Sequence, residues 1–286
     1  MGALKWLRFL LTILLVAIIP VIIGYLLWER RGLTAAIVVV LIAYFLVYWY
    51  GDRILMRWYR ARLVGESDYP YLYAVLRKLA SSAGIPVPRL ALAPVGTPNI
   101  FSAGKGPGSS TIVLTYGLLR VLDPEEIEGA IAHEIAHIIN NDTPLQTLVS
   151  VIGGSLLGVA YSIDRLINPP SRTRKRSNPN DGLLLRILTP IAGIFLHVGL
   201  SPSREYFADE HGARISGKPL ALASALLKLE KAISFRPMRG GNLATSPIFI
   251  VNPFRGDLAD MVSTHPPTKD RAERLLKLAE EMGIYT

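Results

Sequence analysis

Apolar positions are distributed very unevenly along the chain. Phe9 to Trp28 contains no charged residue, and Leu33 to Tyr50 is a second uncharged run. Each is close to the roughly 20 residues a helix needs to cross a bilayer. Glu29 to Gly32 forms a short polar break between them, so the pattern predicts a transmembrane hairpin over 1–50. The first run is too long for a signal-peptide core, lacks a small-residue cleavage site and is followed at once by the second. Tyr44, Tyr48, Trp49 and Tyr50 supply an interfacial aromatic belt. Two more apolar runs come later: Leu145 to Ile163, rich in glycine, and Leu183 to Leu200, which holds Arg186 and His197.

Shorter patterns fill the remainder. Helical periodicity covers Tyr71 to Ala83, Arg204 to Ser216, Lys218 to Ala232 and Pro267 to Gly283. Strand-like pieces lie at Arg89–Val95, Asn99–Gly104 and Thr111–Thr115. Lys105 to Ser110 is glycine-rich but lacks phosphate-loop spacing, and reads as a hairpin connection. Asp123-Pro124-Glu125-Glu126 places an N-cap, a proline at N1 and an acid at N3, which starts a helix expected to stop near Asn140–Asn141. Ser234 to Val262 is a long Pro- and Gly-containing loop. The predicted architecture is a mainly α membrane protein with a small β-sheet and up to four transmembrane helices. Its predicted parts are a first hairpin over 1–50, a mixed helix-and-strand part over 51–144, a second hydrophobic hairpin over 145–200 and a C-terminal helical part over 201–286.

Charge orients this picture. The formal net charge is +9. Lys5, Arg8, Arg53, Arg57, Arg60 and Arg62 outweigh Arg30–Arg31, so the positive-inside rule puts the residues after the first hairpin in the cytoplasm. Arginines beside apolar runs suit anionic headgroups, and no nucleic-acid motif accompanies them. Asn168 to Asp181, between the later runs, carries Arg172, Arg174, Lys175 and Arg176. Two crossings would put this loop outside, against the charge rule. Either the topology tolerates that, or the pair is a re-entrant hairpin with its tip at the cytoplasmic surface. The chain has no cysteine, which excludes disulfides and thiolate ligands.

The chemistry centres on Ala132-His133-Glu134-Ile135-Ala136-His137. Histidines at i and i+4 share a helix face and can reach one metal ion, while Glu134 can face a water on that metal. This is the H-E-x-x-H pattern of zinc hydrolases, against which stands a chance match on a surface helix. A catalytic zinc usually takes three protein ligands. Ser203-Arg204-Glu205-Tyr206-Phe207-Ala208-Asp209 offers Glu205 as the third, with Asp209 one turn on to fix a ligand histidine's tautomer. A solvated acidic helix face is the bland alternative, and His197 and His211 are rival ligands.

The chain resembles the HtpX-type membrane zinc metallopeptidases, relatives of the type I CAAX prenyl proteases. The matching pieces are Thr97-Pro98-Asn99-Ile100-Phe101, the H-E-x-x-H segment, Ser203 to Asp209, Phe249-Ile250-Val251-Asn252-Pro253 and Ser263-Thr264-His265-Pro266-Pro267. The resemblance implies a zincin-like (gluzincin) catalytic domain with one Zn2+ per chain on His133, His137 and Glu205, and Glu134 as general base. It implies that His265 and Arg271 stabilise the tetrahedral intermediate, although by themselves they read as a turn histidine and a helix-surface arginine. It also implies a substrate-binding strand around Asn99, Ile100 and Phe101, whose exposed edge would hold a peptide by main-chain hydrogen bonds. The expected function is endopeptidase cleavage of misfolded or membrane proteins at the cytoplasmic face of the cell membrane. A non-catalytic membrane scaffold with structural zinc and a prenyl-protein peptidase are the alternatives.

Overall fold

A computed structural model describes residues 2–167, 182–238 and 241–284, so the basic connection at 168–181 lies outside the described residues. Helix α1, Gly2–Trp58, is broken by non-helical backbone at Trp28 and Glu29. Its two arms fold back on each other. A Cβ on Gly24 would sit 2.5 Å from the Gly32 carbonyl oxygen, and the Tyr44 hydroxyl donates to the carbonyl of Ile13. Glycine permits that approach, and a larger residue at either position would part the arms. The second arm continues past Tyr50: Leu55 is fully buried, and Asp52 pairs with Arg89 at 3.1 Å. The division expected at residue 50 therefore falls inside a continuous helix.

The chain then forms β1 (Arg62–Leu63), α2 (Pro70–Ser82), β2 (Arg89–Ala93), β3 (Ile100–Ala103) and β4 (Thr111–Thr115). The sheet order is β1-β2-β4-β3, with β2 and β4 parallel and both outer pairs antiparallel. Side chains alternate between its faces. Leu90, Leu92, Ile112 and Leu114 pack with α2 and later helices on one side. Ala91, Ala93, Phe101 and Val113 pack with Leu55, Val149 and Val151 on the other. Burial on both faces explains strands that read as apolar runs rather than polar alternations.

Short α3 (Leu118–Val121) leads to α4 (Pro124–Ile139), α5 (Thr143–Ile167) and α6 (Leu183–Gly199). After them come α7 (Ser203–Ser216), α8 (Pro219–Phe235), a 3-10 turn (Leu243–Ile248), α9 (Asp257–Met261) and α10 (Thr268–Glu281). The long loop expected over 234–262 thus contains two short helical pieces. Asp164 joins α5 to α6 by accepting from the backbone N–H groups of Leu184 and Leu185, each at 3.0 Å. Those donors have no partner within α6, so the carboxylate caps the helix start.

Among the described residues, Ala17–Trp58 and Thr143–Ile167 are long and apolar enough to cross a membrane. The first contains the Trp28–Glu29 break. Half of the apolar stretch of α5 is buried inside the protein. Helix α6 qualifies only jointly with α7, from which it is bent by 54°. The bend carries the polar α7 back against α4.

That α4–α7 packing sets the site. A Cβ on Gly212 of α7 would lie 2.8 Å from the backbone nitrogen of His133. Gly212→Ala is therefore expected to destabilise the protein by about 1–3 kcal/mol through overpacking, measured as a lower midpoint in chemical denaturation.

Candidate metal centre

Local sequence builds the helix that carries the motif. Asp123 caps α4, Pro124 occupies its first turn, and the Asp123 N–H donates to the Glu126 carboxylate at 2.9 Å. The helix ends at Ile139 with Asn140 as cap, and Asn141 takes φ +55°. Asparagine tolerates that left-handed conformation better than most residues. The buried rings of His133 and His137, one turn apart, have centroids separated by 4.7 Å.

Glu205, in the first turn of α7, completes a three-residue group. Ligand atoms of His133, His137 and Glu205 lie within 4.8 Å of one another. His133 Nε2 is 3.8 Å from Glu205 Oε2, and His137 Nε2 is 3.5 Å from Glu205 Oε1. Among the described residues His133 Nε2 has no hydrogen-bond partner, and both it and Glu205 Oε2 are shielded from solvent. Two imidazoles and a carboxylate converging with unused lone pairs form a donor set that suits zinc.

The outward ring nitrogens meet carboxylates. His133 Nδ1 lies 2.9 Å from Asp209 Oδ1, the contact expected of a carboxylate that fixes a tautomer. His137 Nδ1 is 3.0 Å from Asp142 Oδ2, which also accepts from Asn140 Nδ2 at 2.8 Å. Sequence reasoning missed Asp142, which lies beyond the helix and is brought back by the left-handed Asn141. The one available signal was that the second histidine, like the first, needs an acceptor. Asp142→Ala is expected to weaken metal binding by about 10–100-fold, measured by competition with a chelator.

Burial governs the electrostatics. It lowers the His133 pKa to about 4, with Asp209 opposing in part, so this imidazole is neutral at pH 7. Burial raises the pKa of Glu134 to about 7, with His137 opposing and the nearby Ser102 hydroxyl also favouring the charged form. Burial would raise Glu205 too, but His265, His137 and Arg271 hold its carboxyl well below the usual range. Asp209 is likewise lowered, because Arg271 overcomes its burial. Four buried carboxylates, Glu134, Asp142, Glu205 and Asp209, thus face two guanidiniums, Arg204 and Arg271. A divalent cation would offset that excess of negative charge.

Other expected site residues are placed differently. Arg271 is 1% exposed, so it is no surface arginine. Its Nε and Nη2 donate to the two Asp209 oxygens at 2.7 and 2.8 Å, and Nη1 donates to the Ile250 carbonyl at 2.6 Å. Nη1 also lies 3.5 Å from Glu205 Oε2. The Arg271 fork is thus held by Asp209 and Ile250. His265 places Nδ1 3.2 Å from Glu205 Oε2 and Nε2 3.1 Å from the Ser246 carbonyl. His197 bonds the Gly193 carbonyl within α6 and His211 stacks on Phe207, so neither joins the ligand group.

The exposed strand edge expected near Asn99 is also corrected. Asn99 is fully buried, and its Nδ2 donates to the Val251 carbonyl at 2.7 Å. The Ile250 N–H donates to the Ile100 carbonyl at 3.1 Å, and Phe101 pairs with Phe249 across an isolated bridge. The Phe101 ring packs with Tyr59 and Phe249 at centroid distances of 5.6 and 5.2 Å. The 249–251 segment thus occupies this part of the β3 edge, and Phe101 is a core residue.

The sequence profile described as "Peptidase family M48" matches residues 66–279. A "Protease HtpX homolog" from Pyrococcus abyssi is 47% identical over 287 residues, covering 99% of each chain. One from Thermococcus kodakarensis is 46% identical over 295 residues, covering 100% of each. The crystal structure of S. mikatae Ste24p superimposes with a TM-score of 0.49 at 16% identity, over 91% of this chain and 62% of that one. The chain belongs to peptidase family M48, among its HtpX-type membrane proteases.

Proposed function

We propose that this membrane protease is a zinc-dependent endopeptidase of gluzincin type that holds one Zn2+ on His133, His137 and Glu205. The observation that carries the reading is the convergence of these three buried side chains beside a buried Glu134. When bound, zinc would polarise the scissile carbonyl and make a water more acidic. Glu134 accepts the proton of the attacking water and passes it to the leaving amine. Asp209 and Asp142 hold the two imidazoles with Nε2 facing inward, and Arg271 keeps Asp209 charged and in place. His265, against Glu205, lies on the side where the developing oxyanion would be met. The peptide lies beside Ser102, past the part of β3 that the 249–251 segment covers, where the Ser102 hydroxyl approaches Glu134.

The base should control the acid side of the pH profile. Glu134 is active when ionised, so kcat/KM is expected to fall as pH drops through its pKa. That limb should lie at or below about pH 7, because a bound cation draws a neighbouring carboxylate downward from the value set by burial. A rate independent of pH from 8 down to about 4, the unperturbed glutamate value, would remove Glu134 as the base.

The basic residues Arg53, Arg57, Arg60 and Arg62 support a multi-pass arrangement in the cell membrane with the site facing the cytoplasm. In this topology the α1 arms cross the bilayer, and α5 and α6 form the second hydrophobic hairpin. Misfolded or membrane-derived polypeptides near the bilayer are the proposed substrates. A cleavage assay on an unfolded reporter polypeptide, run beside a prenylated peptide, tests this reading. Turnover of the reporter is expected, whereas turnover confined to the prenylated peptide would favour a prenyl-protein peptidase.

A further inference from the structure

A cavity of about 320 Å³ is lined by both arms of α1, the start of α5 and the end of β3, and by no residue of the metal centre. Ile13, Val47, Gly104 and Leu148 are among its walls. Two lining hydroxyls are already engaged: Tyr44 donates to the Ile13 carbonyl, and Thr147 Oγ1 accepts from the Gly104 N–H at 3.2 Å. The walls are therefore almost wholly apolar, and Lys105 is the single charged residue among them. Phe45 and Tyr48 line the cavity while 61% and 53% exposed, so it reaches the outer face of α1. Protein interiors are close-packed, and an apolar space of this size bordering a bilayer is expected to hold hydrocarbon.

Depth and charge identify the occupant. Tyr48 and Trp49 belong to the aromatic belt at the end of the second apolar run, and such rings mark the headgroup level. Lys105 Nζ lies 3.8 Å from the Trp49 ring centroid and 5.5 Å from that of Tyr48. Two aromatic faces thus hold its ammonium at that level. Among the described residues it has these rings as partners and no carboxylate. Tyr44 lies four residues deeper, about 6 Å of helix rise. The cavity therefore joins a cation without a counter-charge to an apolar crevice below it. A phospholipid carries both complements on one molecule, a negative phosphate and a hydrocarbon chain. An apolar polypeptide segment would fill the crevice but need bring no negative group to Lys105.

We propose that this cavity binds an anionic phospholipid of the surrounding bilayer, with one hydrocarbon chain between the α1 arms and α5 and its phosphate on Lys105. The inference rests on the reading that the α1 arms lie in the membrane. Lys105 keeps its ring contacts and donates an N–H to a phosphate oxygen. Arg53, one turn beyond Trp49 on α1 and 5.5 Å from the Tyr50 ring centroid, adds positive charge near the same level. Gly104 follows Ser102 by two residues, so the bound chain would buttress the strand end that borders the proposed peptide site.

The test measures binding of phosphatidylglycerol and phosphatidylcholine with identical chains to the detergent-solubilised full chain, by native mass spectrometry. Wild type is expected to prefer phosphatidylglycerol by about 5-fold, the worth of one cation near an anionic headgroup. Lys105→Gln should erase that preference, and Lys105→Arg should keep it. Val47→Trp should weaken both lipids by about 10-fold or more, because each buried CH2 it displaces is worth about 4-fold. Lys105→Gln alters one half-buried side chain, so it decides the matter if Val47→Trp does not fold. Equal wild-type affinity for the two lipids, or a preference that survives Lys105→Gln, would overturn the proposal. In phosphatidylcholine vesicles, a phosphatidylglycerol with a photoreactive chain should label the segments around Val47 and Leu148. Loss of that label to an added apolar transmembrane peptide, but not to excess phosphatidylglycerol, would assign the cavity to a polypeptide instead. A chain recovered in solution without membrane or detergent would overturn the placement of α1, whereas a membrane-bound chain with no lipid preference removes the lipid site alone.

Discussion

Replacing Glu134 by Gln is expected to suppress peptide cleavage by about 1,000-fold or more while zinc stays bound. The carboxylate is 1% exposed and lies near the Ser102 hydroxyl, and burial pushes its pKa up to about 7. A group with those properties stabilises little by itself, yet is poised to exchange a proton at pH 7. Glutamine has nearly the same shape and lacks the basic oxygen, so the fold and the ligands should remain. Cleavage of an unfolded reporter by the purified variant, with its zinc measured in parallel, reads both effects. Normal turnover would end the proposed mechanism. Loss of zinc along with turnover would make Glu134 a support of the metal site instead.

The second large effect concerns the third ligand. Glu205→Ala is expected to abolish stoichiometric zinc binding, because it leaves two imidazoles where a catalytic zinc normally takes three protein donors. Asp209→Ala should be milder, about a 10–100-fold loss of affinity, since Asp209 touches the proposed ligand His133 and not the ligand group itself. It should also expose the fold to a different penalty. Arg271 would be left buried without its carboxylate, a change of about 3–5 kcal/mol in comparable broken pairs. Zinc content and denaturation midpoint therefore separate the two variants. A greater zinc loss in Asp209→Ala would move the third ligand.

These expectations use residues that differ in how readily sequence reveals them. Local rules were enough for α4, since the Asp123 cap, Pro124 and the asparagines at its end act within a few residues. The i, i+4 spacings of His133–His137 and Glu205–Asp209 likewise point to shared helix faces before any fold is known. What local rules could not supply was pairing across distance. Arg271 sits on an amphipathic helix that looks solvated, and only the packing of α10 against α7 brings it to Asp209. Asp142 needed the left-handed turn at Asn141. The cover on the β3 edge comes from Phe249–Ile250, in a segment with no periodicity to announce strand pairing. The parallel alignment of β2 with β4 was equally hidden, because β3 intervenes between them in the chain. For α1, hydropathy located both apolar arms but missed the continuation to Trp58, where Asp52 and Arg57 lie in a helix that leaves the apolar run.

Titrating zinc into metal-free protein while following cleavage of the unfolded reporter tests the proposed centre most directly. Activity is expected to rise linearly and break at about one zinc per chain, the stoichiometry of a single three-ligand catalytic site. Full turnover in the metal-free chain would contradict the proposal.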